Sequence, residues 1–101
     1  MSKYVVVYTG LPPADADREI IMAAWKGWFE RLGDAVVDAG DPFAACKSIA
    51  EDGSISDGGA LGLTGYSILT ADSLTAAVEM VNGCPGLANA AIEVYEAVPF
   101  G

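Results

Sequence analysis

The stretch that decides the fold is KYVVVYT, residues 3–9. Valine and tyrosine favour β-strands. Because side chains alternate along a strand, this segment carries one apolar set on each face: Tyr4, Val6 and Tyr8 on one side, Val5 and Val7 on the other. Two apolar faces both require a cover, so we expect a layer of structure on each side of this strand.

The remaining elements follow from periodicity and turn residues. Working outward from the first strand, we predict a helix from Asp15 or Asp17 to Leu32, a strand over 35–39, a hairpin about Asp52-Gly53, a strand over 63–69, a helix capped by Asp72 and a last strand over 91–97. This order predicts a single α+β domain over residues 1–101. It is a ferredoxin-like βαββαβ unit with an extra hairpin, whose antiparallel sheet carries both helices on one face.

Such an arrangement leaves the second face of the sheet bare. Since the first strand is apolar on that side too, the simplest cover is a second copy of the same sheet. We therefore predict a homodimer through the sheet faces, in the form of a dimeric α+β barrel.

Charge and composition exclude several partners. The chain has 14 acidic and 5 basic residues, a net charge of −9, and its cations are scattered. Clustered cations are needed to bind nucleic acid, so we expect neither nucleic acid nor an anionic membrane as a partner. The sequence contains no apolar run of about 20 residues, and its first residues do not predict a signal peptide. We expect a cytoplasmic protein in which Cys46 and Cys84 are free thiols.

The chain contains no histidine. This absence removes His-dependent catalytic triads, His metal ligands and His-ligated haem. We expect no metal and no cofactor. Any catalysis would use carboxylates, Tyr, Cys, Lys, Ser or backbone groups.

Several segments match a known family. They are GYSILTADSLTAA (65–77), CPGL (84–87), IEV (92–94), WFERLG (28–33) and AGDP (39–42). The sequence resembles the YCII-related proteins, including their DGPF-type branch. The resemblance spans nearly the whole chain and implies the dimeric α+β barrel fold.

Two departures from that family limit what the resemblance implies. The segment SDGGA (56–60) stands where the DGPF branch has its namesake tetrapeptide, so Asp57 and Gly58 match but Gly59 and Ala60 do not. Some members carry a histidine on the first helix, which is proposed to pair with an aspartate. This chain has none, and an activity based on that pair does not carry over.

Two aspartates are the candidate catalytic residues. Asp38 interrupts an apolar strand, and Asp41 begins the turn after it. A carboxylate in a partly dry cleft has a raised pKa that suits proton transfer. The alternative is that Asp38 points to solvent, because a shift of one residue in the register reverses its direction.

Three further residues are candidates for ligand binding. Trp25 would supply an apolar wall, Tyr66 a hydroxyl and Asp57 a turn carboxylate. A structural explanation is favoured for each of them: ordinary core packing for Trp25, cross-strand packing for Tyr66, and an aspartate turn for Asp57.

Two functions remain open on the sequence. The first is binding of a small apolar or weakly polar molecule in the cleft between sheet and helices, with cofactor-free acid/base chemistry as an extension. The second is a non-enzymatic accessory or regulatory dimer that acts through protein–protein contacts. An enclosed pocket lined by Asp, Tyr and Trp would favour the first, and a filled core the second.

Overall fold

The computed structural model describes residues 1–59 and 61–100. Its elements in chain order are β1 (Ser2–Tyr8), α1 (Arg18–Leu32), β2 (Val36–Asp38), β3 (Lys47–Ile49), β4 (Ile55–Asp57), β5 (Gly65–Ala71), α2 (Leu74–Val81) and β6 (Ile92–Ala97), with 3-10 turns at Gly33–Ala35 and Pro85–Ala88. Four strands form one antiparallel sheet in the order β2-β5-β1-β6. Strands β3 and β4 form a separate hairpin. The predicted α+β class, antiparallel sheet and two helices are therefore confirmed.

Helix α1 begins and ends where local chemistry dictates. The Asp17 carboxylate accepts hydrogen bonds from the backbone N–H groups of Glu19 and Ile20, at 3.0 and 3.3 Å. This satisfies donors that have no partner inside the helix. The helix ends at Gly33, whose φ of 55° favours glycine.

Helix α2 differs from the prediction at its first residue. Ser73, rather than Asp72, is the N-cap, and its hydroxyl accepts a hydrogen bond from the Ala76 N–H at 3.1 Å. Both residue types are good caps. An N-cap side chain binds the free N–H three residues after it, which here is that of Ala76. Ser73 is in that position, and Asp72 is one residue too far from it.

The core lies between the helices and one face of the sheet. It is built on Val6 and Leu69 from the sheet, Trp28 from α1, and Val81 and Cys84 from α2 and the turn after it. Buried Trp28 also donates its indole N–H to the Met80 carbonyl at 3.1 Å, which ties the two helices together. Trp28 is thus the buried residue of α1.

The opposite face of the sheet is open. Val5 and Val7 of β1 and Ile68 of β5 lie on it and are only half-buried, while Tyr95 of β6 is 51% exposed. The radius of gyration is 15.0 Å, and the smallest dimension is 18 Å. A compact chain of this length has a radius near 13 Å. A single chain is therefore a flat body with one unpartnered apolar face.

Candidate functional site

An open cleft of about 540 Å³ lies between the start of α1 and one end of the sheet. Two of its walls are the loop after β1 (Gly10–Pro13) and one side of α1 (Arg18, Ile21, Met22, Trp25 and Phe29). The other two are the segment after β2 (Ala39–Pro42) and the start of β5 (Thr64–Ser67). Tyr8 and Gly86 also line the cleft. A volume of this size is typical of small-molecule sites.

Aromatic rings form the apolar part of the cleft. Trp25 meets Tyr8 edge-to-face with ring centroids 5.0 Å apart, and its ring centroid lies 5.9 Å from that of Phe29. Gly86 permits this arrangement, because a Cβ there would come within 3.2 Å of the indole ring. Trp25 is therefore held by neighbouring aromatic rings, but it is only half-buried and lines the cleft.

A chain of hydroxyl groups lies behind the aromatic wall. The Tyr8 hydroxyl donates to the Ser67 Oγ at 2.7 Å, and Ser67 donates to the Ala39 carbonyl at 2.6 Å. Ser67 is fully buried and uses its one proton on Ala39. The Tyr8 oxygen retains lone pairs that a bound molecule can use.

The Tyr8 hydroxyl and the Cys84 thiol stay protonated at neutral pH. Burial raises the pKa of the Tyr8 hydroxyl far above its ordinary value, and the hydrogen bond to Ser67 opposes this only in part. Burial likewise raises the pKa of the neighbouring Cys84 thiol to about 11. Neither group is a base or a nucleophile near pH 7.

A tightly fixed turn brings Asp41 to the cleft. Gly40 has a φ of 77°, and a Cβ at this position would lie 1.7 Å from the Tyr66 carbonyl oxygen. The Asp38 carboxylate accepts the Gly40 N–H at 2.8 Å. Beyond it, the Phe43 N–H donates to the Thr64 carbonyl at 2.8 Å. Only glycine fits at residue 40, and the turn is held from both ends.

The five predicted site residues fall into three groups. Trp25 and Asp41 line the cleft, and Tyr66 contributes to its wall at the start of β5, although the Tyr66 hydroxyl lies on the opposite face of the sheet. Asp38 does not line it, but its Oδ2 accepts a hydrogen bond from the Tyr66 hydroxyl at 3.1 Å. Asp57 lies in the β3–β4 hairpin, where it forms an exposed ion pair with Lys47.

A bulge explains the position of Asp38. Val36 pairs with Leu69, but Asp38 pairs with Ile68, so the register shifts between them. In regular pairing Asp38 would oppose Ser67 and share its face toward the helices. The bulge turns Asp38 to the open face instead, and its side chain is exposed. Tyr66 presents its hydroxyl on that same face, since it follows buried Gly65 and precedes buried Ser67.

Some cleft residues carry little sequence signal. Phe29 reads as one more apolar helical residue, and Gly40 as an ordinary turn glycine. Two others have a usable signal. Ser67 is a polar residue that alternation along the strand places on the same face as Leu69, and Arg18 is a cation at the start of a helix, where the dipole disfavours positive charge.

Within residues 1–59 and 61–100, no group of three or more Cys, Asp or Glu side chains is arranged to hold a metal ion. In the same part of the chain, neither helix has the length and apolar composition needed to cross a bilayer.

Comparison with known proteins gives a likeness of fold. No protein-family model matches the chain, and no curated protein matches it by sequence. The structure is similar to that of 5-chloro-2-hydroxyhydroquinone dehydrochlorinase from Burkholderia phenoliruptrix AC1100, solved in complex with 2,5-dihydroxybenzoquinone. The TM-score is 0.62 at 18% identity, over 98% of this chain and 95% of that one.

Proposed function

We propose that this protein binds a small, weakly polar aromatic molecule in the cleft beside α1. The observation that carries the proposal is the Trp25 ring, which lines a cleft of about 540 Å³ together with Tyr8 and Phe29. Aromatic rings pack favourably against one another, edge-to-face or offset. A filled core would have left no room for a ligand, and the cleft is open.

The structural neighbour supports the size and shape of such a ligand. It was solved with a benzoquinone, which is a flat six-membered ring. At 18% identity the likeness supports a shared fold and does not indicate a shared reaction. The preference for an aromatic ligand therefore follows from the aromatic side chains that line this cleft.

Asp41 is the proposed acid/base residue, should the bound molecule react. It is the candidate carboxylate that lines the cleft, whereas Asp38 lies on the open face. We assign Asp38 a positioning role, because its carboxylate holds the Gly40 N–H and the Tyr66 hydroxyl. Tyr8, which stays protonated, would contribute hydrogen bonds and no proton abstraction.

The same proposal includes the family and the assembly. The strand order β2-β5-β1-β6, read without the hairpin, supports a ferredoxin-like unit of the YCII-related type. The open apolar face supports a homodimer through the sheets. Cytoplasmic location and the absence of nucleic acid partners stay predictions.

The test is a binding titration with phenol and with hydroquinone, followed by NMR. Backbone resonances around Trp25, Gly40 and Gly86 should shift saturably. Trp25→Leu should weaken binding at least about tenfold, because it removes the principal ring surface. Phe100→Leu is the matched control, since Phe100 is fully exposed and outside the cleft. The proposal would be refuted if the resonance shifts stayed linear up to high ligand concentration, or if Trp25→Leu left them unchanged.

The β3–β4 hairpin favours the alternative of an accessory dimer that acts through protein contacts. Its cross-strand pair Ile49 and Ile55 is 73% and 65% exposed. Replacing both with serine should abolish partner capture if this alternative holds, and should leave ligand titration unchanged. The two functions are thus distinguished by the variant that is impaired: Trp25→Leu if the protein binds a small molecule, and the double serine variant if it binds a protein partner.

A further inference from the structure

Arg18 is the one cation that lines the cleft within the described residues. The other positive side chains lie elsewhere. Lys26 is close to Glu30 on α1, Lys47 pairs with Asp57 in the hairpin, and neither Lys3 nor Arg31 contributes to the cleft. In a chain of net charge −9, Arg18 is therefore the side chain of the cleft that can attract an anionic group of a ligand.

Arg18 has no ion pair within the part of the chain that the structure describes. Asp41 lines the same cleft, yet the two side chains are not within salt-bridge distance of each other. The neighbouring Asp17 carboxylate is engaged with the backbone N–H groups of Glu19 and Ile20. The guanidinium of Arg18 and the carboxylate of Asp41 are thus both left for solvent or for a ligand.

The position of Arg18 also costs the helix stability. It is the first residue of α1, directly after the N-cap. The helix dipole makes positive charge unfavourable there and negative charge favourable. Helix stability therefore gives no reason for an arginine at this residue, whereas its place on the cleft gives a functional one.

We infer that the cleft selects small aromatic carboxylic acids. The inference rests on the function proposed above and specifies its ligand class. The ring would lie against Trp25 and Phe29, and the carboxylate would bind Arg18, whose planar guanidinium matches a carboxylate with two parallel hydrogen bonds. A hydroxyl on the ring would donate to Asp41.

The experiment compares para-hydroxybenzoate with para-hydroxybenzamide by calorimetry at low salt. The two probes share ring and hydroxyl and differ in charge. The wild-type protein should prefer the acid by about two- to fivefold, and added salt should reduce this preference. Arg18→Gln should remove the preference while the amide still binds. Arg31→Gln is the matched control, an exposed arginine on the same helix outside the cleft, and should preserve the preference.

A second comparison isolates Asp41. The wild-type protein should bind para-hydroxybenzoate more tightly than benzoate, and Asp41→Asn should narrow that difference. Circular dichroism of each variant checks that it is folded. Equal binding of acid and amide by the wild-type protein would overturn the assignment of Arg18 and leave the aromatic cleft standing. Failure of all three probes to bind would count against the proposed function itself.

Discussion

The hydroxyl of Tyr8 donates a 2.7 Å hydrogen bond to the Oγ of Ser67, 59 residues further along the chain. Ser67 in turn donates to the Ala39 carbonyl, so that one buried serine joins β1, β5 and the segment after β2. These three segments carry the floor and one wall of the cleft. The shape of the cleft therefore depends on a polar contact inside an apolar core.

Ser67→Ala should destabilise the protein by about 1–3 kcal/mol. The change removes the acceptor of Tyr8 and the donor to Ala39, and an unsatisfied buried polar group costs about that much. Urea denaturation measures the free energy of unfolding. Ser56→Ala, in exposed β4, is the control and should change it by less than about 0.5 kcal/mol. Equal effects of the two changes would mean that the hydroxyl chain does not stabilise the fold.

Gly40→Ala should cost at least about 2 kcal/mol more than Gly53→Ala. Both glycines have positive φ, at 77° and 88°, so both substitutions strain the backbone. Only at Gly40 would the new Cβ collide with a carbonyl oxygen, that of Tyr66, while Gly53 has nothing within 4 Å. Thermal unfolding of the two variants compares them directly. Similar melting temperatures would show that the turn can move away from β5.

Stability should fall between about pH 9 and pH 11 because of Cys84. Burial raises the pKa of its thiol from the ordinary 9.0 to about 11 in the folded chain. The folded state therefore disfavours the thiolate. Below pH 9 the thiol is protonated in the folded and the unfolded chain, and the contribution of Cys84 to the free energy of unfolding is complete. This contribution is lost as the pH rises through 11.

The measurement is the urea midpoint against pH for the wild-type protein and Cys84→Ala. The variant should be less stable at pH 7, because a buried group is lost, but its midpoint should decline less steeply between pH 9 and pH 11. Cys46→Ala is the control, since Cys46 is an exposed free thiol. Parallel curves for all three proteins would contradict the assignment to Cys84.

Light scattering should give about twice the chain mass of 10.4 kDa. The reason is the open sheet face, on which Val5 opposes Ile68 on one neighbouring strand and Tyr95 on the other. Val5→Lys places a charge in that interface and should yield monomers, because burying an unpaired charge is costly. Val98→Lys, at a 78% exposed position outside the strands, should remain dimeric. A wild-type monomer at micromolar concentration would refute the barrel.

Much of the fold was accessible from local sequence patterns. The strand Ser2–Tyr8 and the helix ending at Leu32 were predicted to within a residue or so, because side-chain periodicity and a terminal glycine are properties of the chain itself. The cap of α2 was predicted one residue too early, since Asp72 and Ser73 are both good caps and only backbone geometry chooses between them.

The sequence by itself determined the class of the protein: an α+β chain with two amphipathic helices, an apolar first strand and no histidine chemistry. Only the tertiary structure decided which of the two aspartates lines the cleft. Asp38 and Asp41 are equivalent in the sequence, but the bulge between Val36 and Asp38 reverses the direction of Asp38, and the Gly40 turn carries Asp41 to the cleft. A bulge depends on pairing with β5, about thirty residues away, and a local pattern of period two contains no information about it.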